Sequence, residues 1–120
     1  FIDKLLHNEK VPLYGEGKQM REWMYVEDCI DGIHAAFTKG SSGSIYNIGS
    51  GFELSNIELT KKLLTQFGKD ESYISYVADR LGHDFRYALD ISKSKQELDW
   101  APRVDFETGL QSTVAFYKHQ

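Results

Sequence analysis

The sequence predicts a mixed α/β fold built from short strands and helices. Segments with helical spacing of apolar residues alternate with short β-rich runs along the 120 residues. The β-rich runs are few and only four or five residues long, which favours a substrate-binding lobe over a complete doubly wound sheet. Because a chain of this length accommodates one domain at most, we expect residues 1–120 to form a single domain.

The first half of the chain is expected to hold two helices and three extended segments. Residues 1–7 have helical apolar spacing, and residues 26–37 place Val, Ile and Phe side chains on one helical face. Gly40 is placed to close the second helix as a C′ glycine. The extended segments are 11–14, 22–25 and 44–48, and the last of these is predicted to be a buried strand.

The second half is expected to hold three helices and one strand. Ser55 and Glu58 have the spacing of a capping box, in which each side chain bonds the other residue's backbone N–H. The helix that they begin should end at Gly68. The remaining predicted elements are a strand at 73–77, a helix capped by Ser92 that runs through Leu98, and a helix capped by Asp105.

Charge and cysteine content exclude some classes of protein. The net charge of −4 argues against sequence-independent nucleic-acid binding, which needs a basic face. The one cysteine, Cys29, fits a reducing compartment, and no apolar run approaches the ~20 residues that cross a bilayer. We therefore expect a cytoplasmic protein with no nucleic-acid and no membrane partner.

Most common catalytic and metal-binding patterns are missing from the sequence. The four histidines are scattered without ligand spacing, so no metal site is predicted. Cys29 has no legible histidine partner and is interpreted as a packing residue. The glycines at 49 and 51 lack the third glycine of a dinucleotide-binding loop, and we interpret them as a turn.

One segment has the composition of a binding loop. Residues 79–87, Asp-Arg-Leu-Gly-His-Asp-Phe-Arg-Tyr, combine two arginines, whose planar donor forks suit phosphate oxygens, with a glycine that permits close backbone approach. Histidine and tyrosine add polar contacts suited to a phosphate or a sugar. The alternative is a charged surface loop held by ion pairs, which would contribute little.

Several further polar residues lie at predicted element ends, where ligand-binding residues concentrate. Arg21 precedes an aromatic run, and Asn56 lies in the first turn of its helix, where backbone N–H groups are free to meet an anion. With Arg80 and His83 they form a candidate binding surface. Glu27 and Asp28 are interpreted as acids that complement a helix N-terminus.

Four segments carry a resemblance to a known family. Residues 12–17 (PLYGEG), 21–28 (REWMYVED) and 46–49 (YNIG) with Asn56 resemble motifs of the extended short-chain dehydrogenase/reductases, which have Rossmann-type folds. Residues 79–87 resemble the D-R-P-G-H-D-x-R-Y stretch of the dTDP-glucose 4,6-dehydratases within that family. The match continues through residues 97–102 and 106–110, so it covers nearly the whole chain.

The resemblance implies a nucleotide-sugar lyase with tightly bound NAD. In that family NAD takes hydride from the fourth carbon of glucose, water is lost across the fifth and sixth carbons, and hydride returns to the sixth. The NAD loop and the catalytic residues lie in the N-terminal part, which this chain lacks. We therefore expect a C-terminal, substrate-binding fragment that is inactive alone and carries no catalytic residue, no cofactor site and no metal.

The resemblance also assigns site residues by position. Arg21 and Arg80 would meet the diphosphate, and Asn56 would bond the nucleotide. The residues expected beside the nucleotide are Pro12, Leu13 and Tyr14, and those of the loop closing over it are Asp79, Arg80, Leu81, Gly82 and His83. Leu81 stands where the family has proline, so the loop has less covalent restraint here.

Two other readings of the sequence stay open. The chain fits a fragment of a sister enzyme, such as a UDP-glucuronate decarboxylase or an epimerase, and also a stand-alone, non-catalytic nucleotide-sugar-binding module. The base is undetermined, because thymine and uracil differ by one methyl group, which a pocket distinguishes weakly. We also expect a homodimer, formed through the apolar faces at 1–6 and 26–37.

Overall fold

A computed structural model describes residues 1–119 as short strands and helices in alternation. The predicted mixed α/β character is therefore confirmed. The strands are β1 (Val11–Tyr14), β2 (Met20–Glu22), β3 (Glu53–Ser55) and β4 (Ile74–Val77), and the helices are α1 (Ile2–Leu6), α2 (Val26–Lys39), α3 (Asn56–Gln66), α4 (Ser92–Leu98) and α5 (Phe106–Lys118).

The described chain divides into two compact units, each assembled from separated segments. Unit 1 contains residues 1–21, 54–87 and 110–119, and unit 2 contains residues 22–53 and 88–109. Within residues 1–119 the strands form two two-stranded sheets, β1 with β4 and β2 with β3. The sheets are thus far smaller than a doubly wound sheet.

The core of unit 1 forms on one face of the parallel pair β1–β4. Val11 aligns with Ile74 and Tyr14 with Val77, and burial alternates along β1, so that Val11 and Leu13 face the core while the side chains between and after them are exposed. The other buried members come from three helices and β4: Leu5, Leu63, Leu64, Ile74 and Val114. α3 begins with the predicted capping box of Ser55 and Glu58.

The core of unit 2 is small and tightly packed around Trp100. Ala35, Leu98 and Trp100 are buried together. Gly32 faces them from α2, and a Cβ on it would lie only 2.6 Å from the Ile48 side chain and 2.9 Å from the Trp100 ring. The glycine therefore permits α2 to approach the tryptophan, and any larger residue there would force a shift.

The predicted apolar face of α2 is exposed. Val26, Ile30 and Ile33 are 58–60% exposed and Phe37 is 88% exposed. We call these four residues the α2 stripe. The buried side of α2 instead contains Asp28, Gly32 and Ala35, so periodicity identified the helix but did not identify the side that packs in this chain.

Three local predictions are wrong. Residues 44–48 are not a strand, and Ile45 is 83% exposed, because no strand of the described chain pairs with them. Gly40 ends α2 with φ −67°, not in a left-handed conformation; glycine suits the position because a Cβ would lie 2.3 Å from the Ala36 carbonyl oxygen. Ser92 is the first residue of α4, whose N-cap is Ile91 without a side-chain cap bond, and the Ser92 N–H donates to the Asp90 carboxylate (2.9 Å).

No helix in residues 1–119 combines the length and the apolar character needed to traverse a bilayer.

Candidate nucleotide-binding site

The arginine-rich loop, residues 78–87, is fastened at both ends within unit 1. At its start, the Gly15 N–H donates to the carbonyl of Val77 (2.9 Å). At its end, the Met20 N–H donates to the Phe85 carbonyl (2.7 Å), and the Tyr87 N–H donates to the Met20 carbonyl (3.3 Å). The loop therefore leaves β4 and returns to β2, and its middle is free to form a concave surface.

Arg21 holds the returning part of this loop. From β2, one terminal nitrogen of its guanidinium donates to the Met20 carbonyl (2.7 Å), and the other donates to the Asp84 carbonyl (2.9 Å). The guanidinium also lies 4.6 Å from the centre of the Tyr87 ring, within range of a cation–π contact. Much of its donor fork is therefore used to shape the loop, and the remaining N–H groups are what it can offer a ligand.

Arg80 is placed differently. Its guanidinium lies 5.2 Å from the centre of the Tyr14 ring, within range of a cation–π contact. Tyr14 in turn makes an edge-on contact with the His83 ring, with 5.9 Å between ring centres. The aromatic ring of Tyr14 thus supports both the arginine and the histidine of the loop.

A cavity of about 260 Å³ opens among these side chains. Its lining consists of Arg21, Arg80, Leu81, Gly82, His83, Asp84 and Tyr87. It is smaller than the ~300–1,000 Å³ typical of whole-ligand pockets, so it suits one group of a larger ligand. Two guanidinium groups and an imidazole make that group an anion, such as a diphosphate.

Asp84 and Tyr87 form the acidic side of the lining. The Tyr87 hydroxyl donates to the Asp84 carboxylate, and this bond raises the pKa of Tyr87. The carboxylate is therefore occupied by a neutral donor, which limits its repulsion of an anion in the cavity.

The structure brings half of the predicted site residues into the cavity lining. Arg21, Arg80, Leu81, Gly82 and His83 line it, and Tyr14 and Asp79 contact lining residues. Leu13 is buried in the core of unit 1, so its side chain is not available to a ligand. Pro12 is exposed on β1, and Asn56 is not among the described lining residues.

The expectation of free N–H groups at the start of α3 is wrong. The Asn56 N–H donates to the Gln19 carbonyl (3.0 Å) and the Ile57 N–H to the Gly17 carbonyl (2.9 Å). The helix N-terminus is satisfied by the chain that precedes β2, so an anion has no open donors there. The predicted contact of the Asn56 side chain with a nucleotide stays a prediction.

Sequence reasoning missed Gln19 and the pairing of Tyr87 with Arg21. Gln19 is buried, and its side-chain amide donates to the Asp79 carboxylate (2.7 Å). Nothing in the sequence around Gln19 signals this contact, which joins residues 60 positions apart. Tyr87 belongs to the predicted loop, but its role as a support for Arg21 depends on the return of the chain to β2.

Acid should destabilise the folded chain, because several carboxyl groups have lowered pKa values. The bond from His83 lowers the pKa of Asp79, and four other carboxyls are lowered by side-chain and backbone donors at the start of a helix or turn: Glu58, Asp70, Asp90 and Asp105. The unfolded chain therefore binds more protons near pH 4, and the stabilisation present above the unfolded-state pKa values of about 4 is lost as pH falls through the folded-state values. Thermal unfolding followed by circular dichroism should show a lower Tm at pH 3 than at pH 6; an equal Tm would contradict this.

Comparison with known proteins places the chain in one family. Residues 1–113 match the family described as GDP-mannose 4,6 dehydratase. A dTDP-glucose 4,6-dehydratase of Streptomyces griseus is 49% identical over 121 residues, which are 100% of this chain and 37% of that protein. The chain thus spans about 37% of the length of this relative.

Solved structures give the same result. A dTDP-glucose 4,6-dehydratase of Streptomyces venezuelae, with NAD and TYD bound, has a TM-score of 0.96 and 44% identity over 99% of this chain and 37% of its own. A UDP-glucose 4-epimerase of Thermotoga maritima, with UDP-glucose, has a TM-score of 0.91 and 31% identity over 98% of this chain and 38% of its own. The resemblance to the C-terminal part of extended short-chain dehydrogenase/reductases is confirmed, and the chain belongs to the GDP-mannose 4,6-dehydratase family.

Proposed function

We propose that this chain is the nucleotide-sugar-binding portion of a dTDP-glucose 4,6-dehydratase, a lyase that uses bound NAD to convert dTDP-glucose to dTDP-4-keto-6-deoxyglucose. The observation that carries the proposal is the cavity in which the Arg80 guanidinium, supported by Tyr14, lies with Arg21 and His83. Such a cluster favours a diphosphate, the group that dTDP-sugars and UDP-sugars carry.

Binding and orientation are the tasks that these residues perform. Arg80 presents its fork to the diphosphate oxygens, and Arg21 adds charge while it keeps the loop in place. His83 contributes a ring that is held by Asp79. A substrate fixed by its diphosphate presents its sugar in a constant position, which is the entropic part of catalysis.

The glycine turn at 49–51 does not fit the pyrophosphate of NAD. The Gly51 N–H already donates to the Glu22 carboxylate, and Gly49 lies against the same carboxylate, where a Cβ would be 3.0 Å from Oε2. This turn is closed to a second anion. We therefore place NAD outside this chain, in the N-terminal part of the enzyme, and derive no step through it.

Identity favours the dehydratase over a sister enzyme. Over the aligned residues, the solved dehydratase is 44% identical to the chain, whereas the solved UDP-glucose 4-epimerase is 31% identical. The loop at 79–87 carries most of the resemblance that is specific to dehydratases. A non-catalytic binding module is the alternative from a different class, and activity decides between the two.

The test is a chimera of this chain with the rest of a known dehydratase. In the Streptomyces griseus dehydratase, the matching 37% would be replaced by residues 1–120, and the product from dTDP-glucose would be measured beside that from UDP-glucose and UDP-glucuronate. We expect a 4-keto-6-deoxy product from dTDP-glucose. A folded, NAD-loaded chimera that binds dTDP but forms no product would favour the non-catalytic module, and turnover of a UDP-sugar alone would favour a sister enzyme.

We further propose that two copies of this chain associate. The α2 stripe exposes four large apolar side chains on one helix, and contiguous apolar patches of this kind mark interaction sites. Multi-angle light scattering should give a dimer mass for the chain, and replacing Ile30 and Ile33 with glutamine should shift it towards the monomer. A monomer mass at high concentration would contradict the proposal. The cytoplasmic location stays a prediction from the single cysteine.

A further inference from the structure

The Asp79 carboxylate lies behind the cavity and joins three parts of unit 1. Its Oδ1 accepts the Arg80 backbone N–H (2.8 Å) and a bond from Nδ1 of His83 (2.6 Å). Its Oδ2 accepts the side-chain amide of Gln19 (2.7 Å). One side chain therefore links the end of β4, the middle of the loop and the segment before β2.

The His83 ring depends on this carboxylate. Its side chain is only 5% exposed, whereas that of Asp79 is 40% exposed. Because an ionised carboxylate can only accept, Nδ1 of His83 must carry the proton of the bond between them. The bond selects one tautomer and one ring orientation.

Gly15 and Gln19 pack closely against the Asp79 carboxylate. Gly15 has φ +55°, and a Cβ on it would lie 3.2 Å from Oδ2 of Asp79, so a glycine lets the β1 turn approach the carboxylate. Gln19 is 7% exposed, so its bond to Oδ2 is shielded from water. These contacts fix the carboxylate, and through it the residues that follow.

The negative charge of Asp79 lies close to the cavity that is proposed to bind an anion. A bare carboxylate would repel a diphosphate, but here both oxygens accept hydrogen bonds from the chain, and the group does not line the cavity. The arrangement makes Asp79 unsuitable as a ligand contact and well suited to holding other residues.

We propose that Asp79 is a positioning residue that holds His83 and the Arg80 backbone in the ligand-binding arrangement before the ligand arrives. This inference rests on the proposed function and revises the position-based role of Asp79 as a substrate contact. Asp79 acts through its neighbours, so its removal should weaken anion binding although it touches no anion.

The test compares Asp79→Ala with Asp79→Asn in calorimetric titrations of the chain with dTDP. The alanine removes all three bonds, and we expect binding to weaken by about ten- to a hundredfold. The asparagine keeps an oxygen for His83, and the Gln19 amide can turn over to accept from it, so binding should return to within a few-fold of wild type. Glu16→Gln is the matched control and should bind as wild type. Glu16 is an exposed carboxylate in the turn that follows β1, where it pairs with Lys18.

A second readout needs no ligand. Nitrogen-15 spectra of the neutral His83 ring should show a single Nδ1-protonated form in the wild-type chain and in Asp79→Asn. They should show a mixture of tautomers in Asp79→Ala. Asp79→Ser, whose hydroxyl is too short to bridge His83 and Gln19, replaces the alanine if that variant does not fold.

The outcomes separate the two proposals. Failure of the wild-type chain and of the chimera to bind dTDP counts against the proposed function, and the His83 spectra then decide the role of Asp79. Wild-type affinity in Asp79→Ala, or an unchanged His83 tautomer, overturns the positioning role while leaving the nucleotide site intact. An asparagine variant as weak as the alanine variant also overturns it, because a carboxylate contact with the ligand would then be required.

Discussion

Replacing Arg80 with alanine is expected to weaken dTDP binding by about ten- to a hundredfold. The guanidinium lies over Tyr14 and lines the cavity. Hydrogen bonds to charged groups contribute about 1.5–3 kcal/mol each, and 1.4 kcal/mol corresponds to a tenfold change in affinity. Isothermal titration calorimetry of the chain with dTDP would measure the loss.

Two further variants sharpen this experiment. Arg80→Lys keeps the positive charge but loses the planar fork, so its affinity should lie between those of wild type and alanine. Lys18→Ala removes an exposed cation that pairs with Glu16 and should leave affinity unchanged. Wild-type affinity in Arg80→Ala would contradict the assignment of this arginine to the diphosphate.

Arg21→Ala should behave differently from Arg80→Ala, although both residues line the cavity. Arg21 donates to the carbonyls of Met20 and Asp84, so its loss should loosen the loop as well as remove charge. Faster hydrogen exchange at residues 84–87 in the Arg21 variant, and not in the Arg80 variant, would distinguish the two roles.

Replacing Asp28 with alanine is expected to lower the free energy of unfolding by about 2–4 kcal/mol. Asp28 is 2% exposed, and its two carboxylate oxygens accept the backbone N–H groups of Arg103 (3.0 Å) and Val104 (2.9 Å). Alanine would leave both N–H groups without these partners in a partly buried place. Urea unfolding followed by circular dichroism would give the change.

Asp31→Ala is the matched control for Asp28→Ala. Asp31 lies on the same helix and pairs with the side chain of Arg103, but that pair is largely exposed. The side chain of Arg103 is 77% exposed and that of Asp31 is 47% exposed. Exposed ion pairs contribute about 0–1 kcal/mol, so the control should be nearly neutral. Equal effects of the two substitutions would show that the buried carboxylate has no special role.

The elements that could be predicted are those that local chemistry determines. Ser55 and Asp105 have side chains that bond N–H groups three residues ahead, so they cap α3 and α5 as predicted. β1 and β4 were also identified, because short apolar runs bounded by turns are themselves local signals. Asp28 shows the limit of such signals: its position at a helix N-terminus was correctly read, but its burial depends on residues 75 positions away.

The prediction of a strand at residues 44–48 is wrong for the same physical reason, because a strand also depends on distant parts of the chain. Their composition favours an extended backbone, but a strand exists only when another strand accepts its hydrogen bonds, and the described chain supplies none. The candidate site could likewise be predicted only where its signal is local. The loop at 79–87 could be identified from its composition, whereas the support of Arg80 by Tyr14 and the bond of Gln19 to Asp79 required the fold.

The interleaving of the two units governs when each can form during synthesis. Val114 and Leu110 complete the core that Val11 begins, so the core of unit 1 has all its members only after residue 114 has emerged from the ribosome. Unit 2, made from residues 22–53 and 88–109, is interrupted by the middle segment of unit 1. No single proteolytic cut would separate the two units, because their segments alternate along the chain.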